Sequence, residues 1–101
     1  MKAAPLSEET LESIRSVLQQ HAEVRTAVLF GSRAKGTRTE RSDIDIAVTG
    51  CVPPLLAQSI AAELDDLPLP QRFELQSIEH IVYQPLLEHI RRVGIVIYTA
   101  S

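Results

Sequence analysis

The sequence predicts an α/β fold, α+β in the broader usage: a small mixed β-sheet of about four strands with helices packed on it. Three observations carry that expectation. Val24–Phe30 is a β-branched and apolar run with Arg25 as its only charge, the pattern of a largely buried strand. Asp43–Val48 alternates strictly, with Ile44, Ile46 and Val48 on one face and Asp43, Asp45 and Ala47 on the other. Between and around such strands lie stretches whose apolar residues recur at helical spacing. At 101 residues the chain is expected to form one domain, 1–101, with one modest core.

Taken in order, residues 1–6 lack periodicity and read as a loose lead-in. Ser7 is a fitting N-cap, with Glu8 and Glu9 where the helix dipole favours acid. Leu11, Ile14 and Leu18 then mark a helix running to about Gln20. The strand Val24–Phe30 follows, then a polar stretch over 31–42, then the alternating strand. Gly50 and Pro53-Pro54 punctuate its exit. Leu56, Ile60, Leu64 and Leu67 mark a second helix that Pro68 and Pro70 end.

Arg72–Ile78 alternates again, with Phe73, Leu75 and Ser77 opposed to Arg72, Glu74 and Gln76. Pro85 cannot sit inside a helix without cost, so a short turn near Ile78–Tyr83 is expected before a helix that begins at Pro85. Leu86, Leu87, Ile90 and Val93 would be its apolar face, and Gly94 its C′ glycine. Ile95–Tyr98 reads as the last strand, and Tyr83 and Tyr98 as residues capping the core edge.

Composition excludes some functions. A net charge of −3 argues against general nucleic-acid or anionic-membrane binding. An aromatic content of 4% offers little for stacking bases. The single cysteine, Cys51, has no internal disulfide partner, and no run approaches the roughly 18 residues needed to span a membrane. A cytoplasmic protein is expected. His21, His80 and His89 share no metal-ligand spacing and read as surface or helix-end residues.

The chemistry concentrates in Gly31–Asp45, G-S-R-A-K-G-T-R-T-E-R-S-D-I-D. A glycine directly after a strand lets the backbone turn sharply and lets a phosphate approach the amides. Ser32 adds a hydroxyl, and free N–H groups at the start of a helical turn would point at the same anion. Arg33, Lys35, Arg38 and Arg41 place four of ten basic residues in nine positions. G-x-x-x-x-G lacks the Lys-Ser/Thr of a P-loop, and a solvated polar connection fits the loop alone equally well.

Asp43 and Asp45, at i and i+2 of a strand, share one face about 6–7 Å apart along the backbone. A hard divalent cation relieves the repulsion of such a pair, and Mg²⁺ is commonly held by one or two carboxylates plus phosphates. Aspartate is disfavoured in strands, so two in a short one call for a reason. Glu74 joins them if its strand lies beside Asp43–Val48. Three carboxylates can hold two metals about 3.5–4 Å apart. A solvent-facing Glu74 salt-bridged to Arg72 fits the sequence as well.

Phe30-Gly31-Ser32-Arg33-Ala34-Lys35-Gly36, a spacer, then Ser42-Asp43-Ile44-Asp45-Ile46-Ala47-Val48 resembles the G-S-x-A-x-G…S-D-I-D signature of the polymerase-β-like nucleotidyltransferases. The chain looks most like the minimal nucleotidyltransferases (MNT), the antitoxins of HEPN/MNT modules, over most of its length. The resemblance implies that Gly31 and Ser32, with Arg33 and Lys35 in the same loop, bind a nucleoside triphosphate, ATP foremost. It implies that Asp43, Asp45 and Glu74 are the metal-binding and catalytic carboxylates around Mg²⁺. Glu74 stands where the family usually has an aspartate, and a side chain one methylene longer matters where geometry is strict.

Two functions follow as expectations. One is a Mg²⁺-dependent transfer of AMP from ATP to a hydroxyl, a tyrosine of a co-encoded helical HEPN-type partner. The other is a non-catalytic antitoxin that neutralises its partner by complex formation. The sequence leaves homo-oligomerisation open.

Overall fold

The computed structural model describes residues 6–30 and 43–100. Helix α1 spans Glu8–Leu18, capped as its sequence asks: the Ser7 hydroxyl accepts from the Thr10 amide at 3.2 Å. It ends two residues short of Gln20. Strand β1 is Val24–Phe30 and β2 is Ile44–Gly50, so Asp43 lies just before β2, and the strand runs two residues beyond the alternating segment. Helix α2 is Pro54–Asp65 and β3 is Phe73–Ser77. A single 3₁₀ turn, Ile78–His80, precedes helix α3, Gln84–Val93, which admits Pro85 in its first turn. Strand β4, Ile95–Thr99, closes the chain.

The four strands lie in the order β3-β2-β1-β4. β1 runs antiparallel to both β2 and β4, while β2 and β3 are parallel, joined by the crossover through α2. The sheet is therefore mixed, as expected. One face buries Ala27, Leu29, Ile44, Ile46 and Val48 against Ile14 and Leu18 of α1 and Ile60 and Leu64 of α2. The other buries Phe30 and Ala47 under Ile90 of α3. Because β2 is covered on both sides there, Ala47 is as fully buried as Ile46, and the alternation read from sequence describes only the first half of the strand.

Helix α3 differs from expectation in degree. Ile90 alone is buried, while Leu86, Leu87 and Val93 are half-buried. Tyr83 is 67% exposed and caps no core edge; it stands at the N-cap of α3. Gly94 is no left-handed C′ glycine: its backbone is extended, with φ −67° and ψ 141°. Space is the reason for glycine there. A Cβ would meet the Ile90 carbonyl oxygen at 2.3 Å and Val28 Cγ1 at 2.4 Å, where the chain turns from α3 into β4. Gly50 does adopt a positive φ of 118°, beside the bulge at Arg25, and a Cβ would lie 2.1 Å from the Glu23 carbonyl oxygen.

The two sheet edges are finished differently. On β4, Ile97 is an extra residue in the pairing with β1, and the Arg15 side chain of α1 donates from Nε to the Ile97 carbonyl at 2.8 Å. A bulge and a capping cation are two of the ways proteins block an edge. On β3, Asp65 Oδ1 accepts from the Phe73 amide at 2.9 Å, at the strand's start. His21, set aside from the sequence, closes the end of α1 onto α2: its Nε2 lies 3.0 Å from a Glu63 carboxylate oxygen.

Candidate functional site

Register assembles the site. In the parallel ladder Asp45 pairs with Glu74, and in the antiparallel one Asp45 pairs with Phe30. Paired residues point to the same face of a sheet, so Phe30, Asp45 and Glu74 form a row across three strands. Asp43, two residues before Asp45, falls on that face beside it. The Ile44 amide donates to the Arg72 carbonyl at 2.8 Å and holds the start of β2 against β3. Three carboxylates thus gather at the end of the sheet where β1 stops and the 31–42 segment begins.

The electrostatics of Asp45 carries the influence of both neighbours. The Asp45 carboxyl is held above its ordinary value, first by burial, then by the negative charge of Glu74, then by that of Asp43. Asp43 and Glu74 are exposed and Asp45 is half-buried. The ion pairs among the described residues, Arg15–Glu8 and His21–Glu63, do not include an Arg72–Glu74 bridge, and Glu74 faces solvent.

Such a row repels itself and gains from a hard cation, which fits Mg²⁺ chemically. Among the described residues, however, no three His, Cys, Asp or Glu side chains converge closely enough to hold an ion as they stand. The two exposed carboxylates have room to rotate. Gly31, Ser32, Arg33 and Lys35, the loop assigned to the triphosphate, lie outside the described residues.

Two residues join this end of the sheet to which the sequence assigned no role there. Phe30 is buried beside Asp45, and the His89 ring of α3 meets it edge-on, with centroids 6.4 Å apart and planes at 81°. Their encounter depends on where α3 docks, which no local spacing encodes. Among the described residues no helix is long and apolar enough to cross a membrane.

Comparison with known proteins follows the geometry. The family model described as polymerase beta nucleotidyltransferase matches residues 12–101. A Methanocaldococcus jannaschii protein, named as an inferred protein adenylyltransferase, is 42% identical over 48 residues, which is 48% of this chain and 48% of that protein. The chain thus aligns with about half the length of that relative.

Among solved structures, a chain of a toxin–antitoxin crystal structure with AMP-PNP superposes with a TM-score of 0.74 at 20% identity, over 95% of this chain and 76% of that one. A chain from the Shewanella oneidensis complex of a tri-AMPylated HEPN toxin with an MNT antitoxin gives 0.73 at 17% identity, over 94% and 74%. At those identities the likeness speaks to the fold.

Proposed function

The chain belongs to the polymerase-β nucleotidyltransferase family, and on that premise we propose that it transfers AMP from ATP to a hydroxyl of a partner protein, a tyrosine of a HEPN-type toxin. The observation that carries the reading is the pairing of Asp45 with Glu74 beside Asp43, with the Asp45 carboxyl raised by both neighbours. The adenylyltransferase name of the Methanocaldococcus jannaschii relative, and the AMPylated toxin in the Shewanella oneidensis complex, favour AMP and a protein acceptor.

In this reading Gly31, Ser32, Arg33 and Lys35 bind the triphosphate, and Asp43, Asp45 and Glu74 hold Mg²⁺. Held there, a divalent ion would supply charge neutralisation to the phosphates. The acceptor oxygen forms a bond to the α-phosphorus while the bridging bond to the β-phosphate breaks. Pyrophosphate leaves with the electron pair, and the hydroxyl proton passes to Glu74 and on to water. The exposure of Glu74 on an outer strand supports this role toward an acceptor arriving from solvent.

The test is incubation with α-labelled ATP, Mg²⁺ and the neighbouring-gene product. Labelled partner and released pyrophosphate are expected, with both lost in the Asp43→Ala/Asp45→Ala variant. No transfer by the wild type, or equal transfer by that variant, sinks the proposal.

A second reading is an antitoxin that works by covering its partner. The separation of the three carboxylates as they stand favours it. It expects neutralisation to persist when both aspartates are gone.

A further inference from the structure

We infer that the flank of α3 carrying His89 and Arg92 is a phosphate-binding wall, which takes the outer phosphates of the nucleotide across from the carboxylate row. Its ligand follows from the transferase reading, which it deepens and on which it rests. Its placement follows from the fold.

Chain direction decides which end of α3 meets the site. Strand β3 starts beside the carboxylates and leads, through the 3₁₀ turn, to the start of α3 at the opposite end of the sheet. Helix α3 then returns to the carboxylate end. Ile95, one residue beyond Gly94, pairs with Leu29, and the next residue of β1, Phe30, pairs with Asp45. The helix also covers the face to which that row belongs, with Ile90 packed on Phe30 and Ala47.

Handedness decides which flank faces the row. A crossover between parallel strands, here β2–α2–β3, is right-handed. With α2 on one face of the sheet and α3 on the other, β2 and β3 lie to the right of α3, seen from its start with the sheet beneath. Ile90, Leu86 and Val93 turn down to the sheet. At about 100° per residue His89 and Arg92 then project to the right, toward β2 and β3, and Arg91 to the left. The contact agrees: the His89 ring stands edge-on to Phe30, the member of the row on β1, at 6.4 Å.

A helix C-terminus by itself accounts for arginine in the last turn. It does not account for a half-buried imidazole whose nitrogens meet no hydrogen-bond partner among the described residues. The Arg92 guanidinium, one turn on, has no ion pair among them either. An imidazole keeps an N–H to donate in either protonation state, and a guanidinium donates several. Anionic oxygens complement both. Phosphates drawn to Asp43, Asp45 and Glu74 on one side present their remaining oxygens to these donors on the other.

Calorimetry of the full chain in Mg²⁺, with ATP, inorganic tripolyphosphate or AMP as the probe, tests this. His89→Phe keeps a ring against Phe30 and removes both nitrogens. Arg92→Gln changes an exposed residue, which covers the case in which His89→Phe fails to fold. Each variant is expected to bind ATP and tripolyphosphate roughly tenfold more weakly, the worth of a hydrogen bond to a charged group. Each is expected to bind AMP as the wild type does. Arg91→Gln, the same charge change on the other flank, is expected to leave all three affinities unchanged.

Unchanged ATP affinity in a folded His89→Phe or in Arg92→Gln overturns the inference. So does an equal loss of AMP binding, because the contact is then not with the outer phosphates. An equal loss in Arg91→Gln overturns it too, since net charge alone then acts. If wild type binds neither ATP nor tripolyphosphate, the transferase reading fails and this inference falls with it. Binding of both by wild type, with the variants unchanged, fails the inference alone.

Discussion

Asp45 has the same side chain as Asp43 and a different environment. Both are aspartates on one face, two residues apart, yet only Asp45 lies in the ladder between Phe30 and Glu74. Burial, Glu74 and Asp43 together raise its carboxyl above 3.8. The native state therefore holds this proton more tightly than the unfolded chain does. Stability of the metal-free protein then falls as pH rises from about that value through the raised one. Asp45→Asn removes the penalty, so its melting temperature at pH 7 is expected to exceed that of wild type, with the gap closing toward pH 3. Thermal melts across that range in chelator check it. The same substitution is expected to cost transfer at least a hundredfold, which would mark Asp45 as a residue held at the expense of stability. Glu74→Ala is expected to keep ATP binding within a few-fold and to lose transfer, measured by calorimetry and label incorporation.

At the scale of elements, α3 covers the sheet face that carries Phe30 and Ala47. It is anchored by Ile90 over Phe30 and Ala47, and its exit is set by Gly94. Ile90→Ala should cost about 2–5 kcal/mol in denaturant unfolding, as for other buried large-to-small changes. Gly94→Ala should cost about 1–3 kcal/mol through overpacking, because the Ile90 carbonyl and Val28 are both in its way. If Gly94 were there for backbone freedom alone, alanine would be tolerated at its φ of −67°. Helix α1 reaches α2 through His21 and Glu63, 3.0 Å apart at the helix ends. A double-mutant cycle there is expected to yield roughly 0.2–1 kcal/mol, the range of partly exposed pairs.

For the whole molecule, the mixed sheet brings the first aspartate pair and the later glutamate together because the α2 crossover makes β2 and β3 parallel neighbours. Ligand binding at that junction is linked to global stability. ATP with Mg²⁺ at about a hundred times its Kd should add about 2.7 kcal/mol. The Asp43→Ala/Asp45→Ala variant should show no such gain, and thermal shift with and without Mg²⁺ separates the two. The edge strand β4 carries the Ile97 bulge and the Arg15 side chain, and the edge strand β3 carries Glu74.

Much of this was legible along the chain. The Ser7 cap, the β-branched run before Gly31, the aspartates two apart and the alternation around Glu74 are local patterns, and local patterns survive folding because period and capping act within a few residues. What they could not say is which strand lies beside which. Glu74 as the partner of Asp45, Ala47 as a fully buried residue, Gly94 as a matter of space and Tyr83 as an exposed ring all depend on contacts between residues far apart in sequence. By itself the sequence determined the elements and the residue types available for chemistry. Only the tertiary structure decided which carboxylates share a row across the sheet, because strand order and register are set by packing of the whole sheet against its helices, and no short window of residues contains that information.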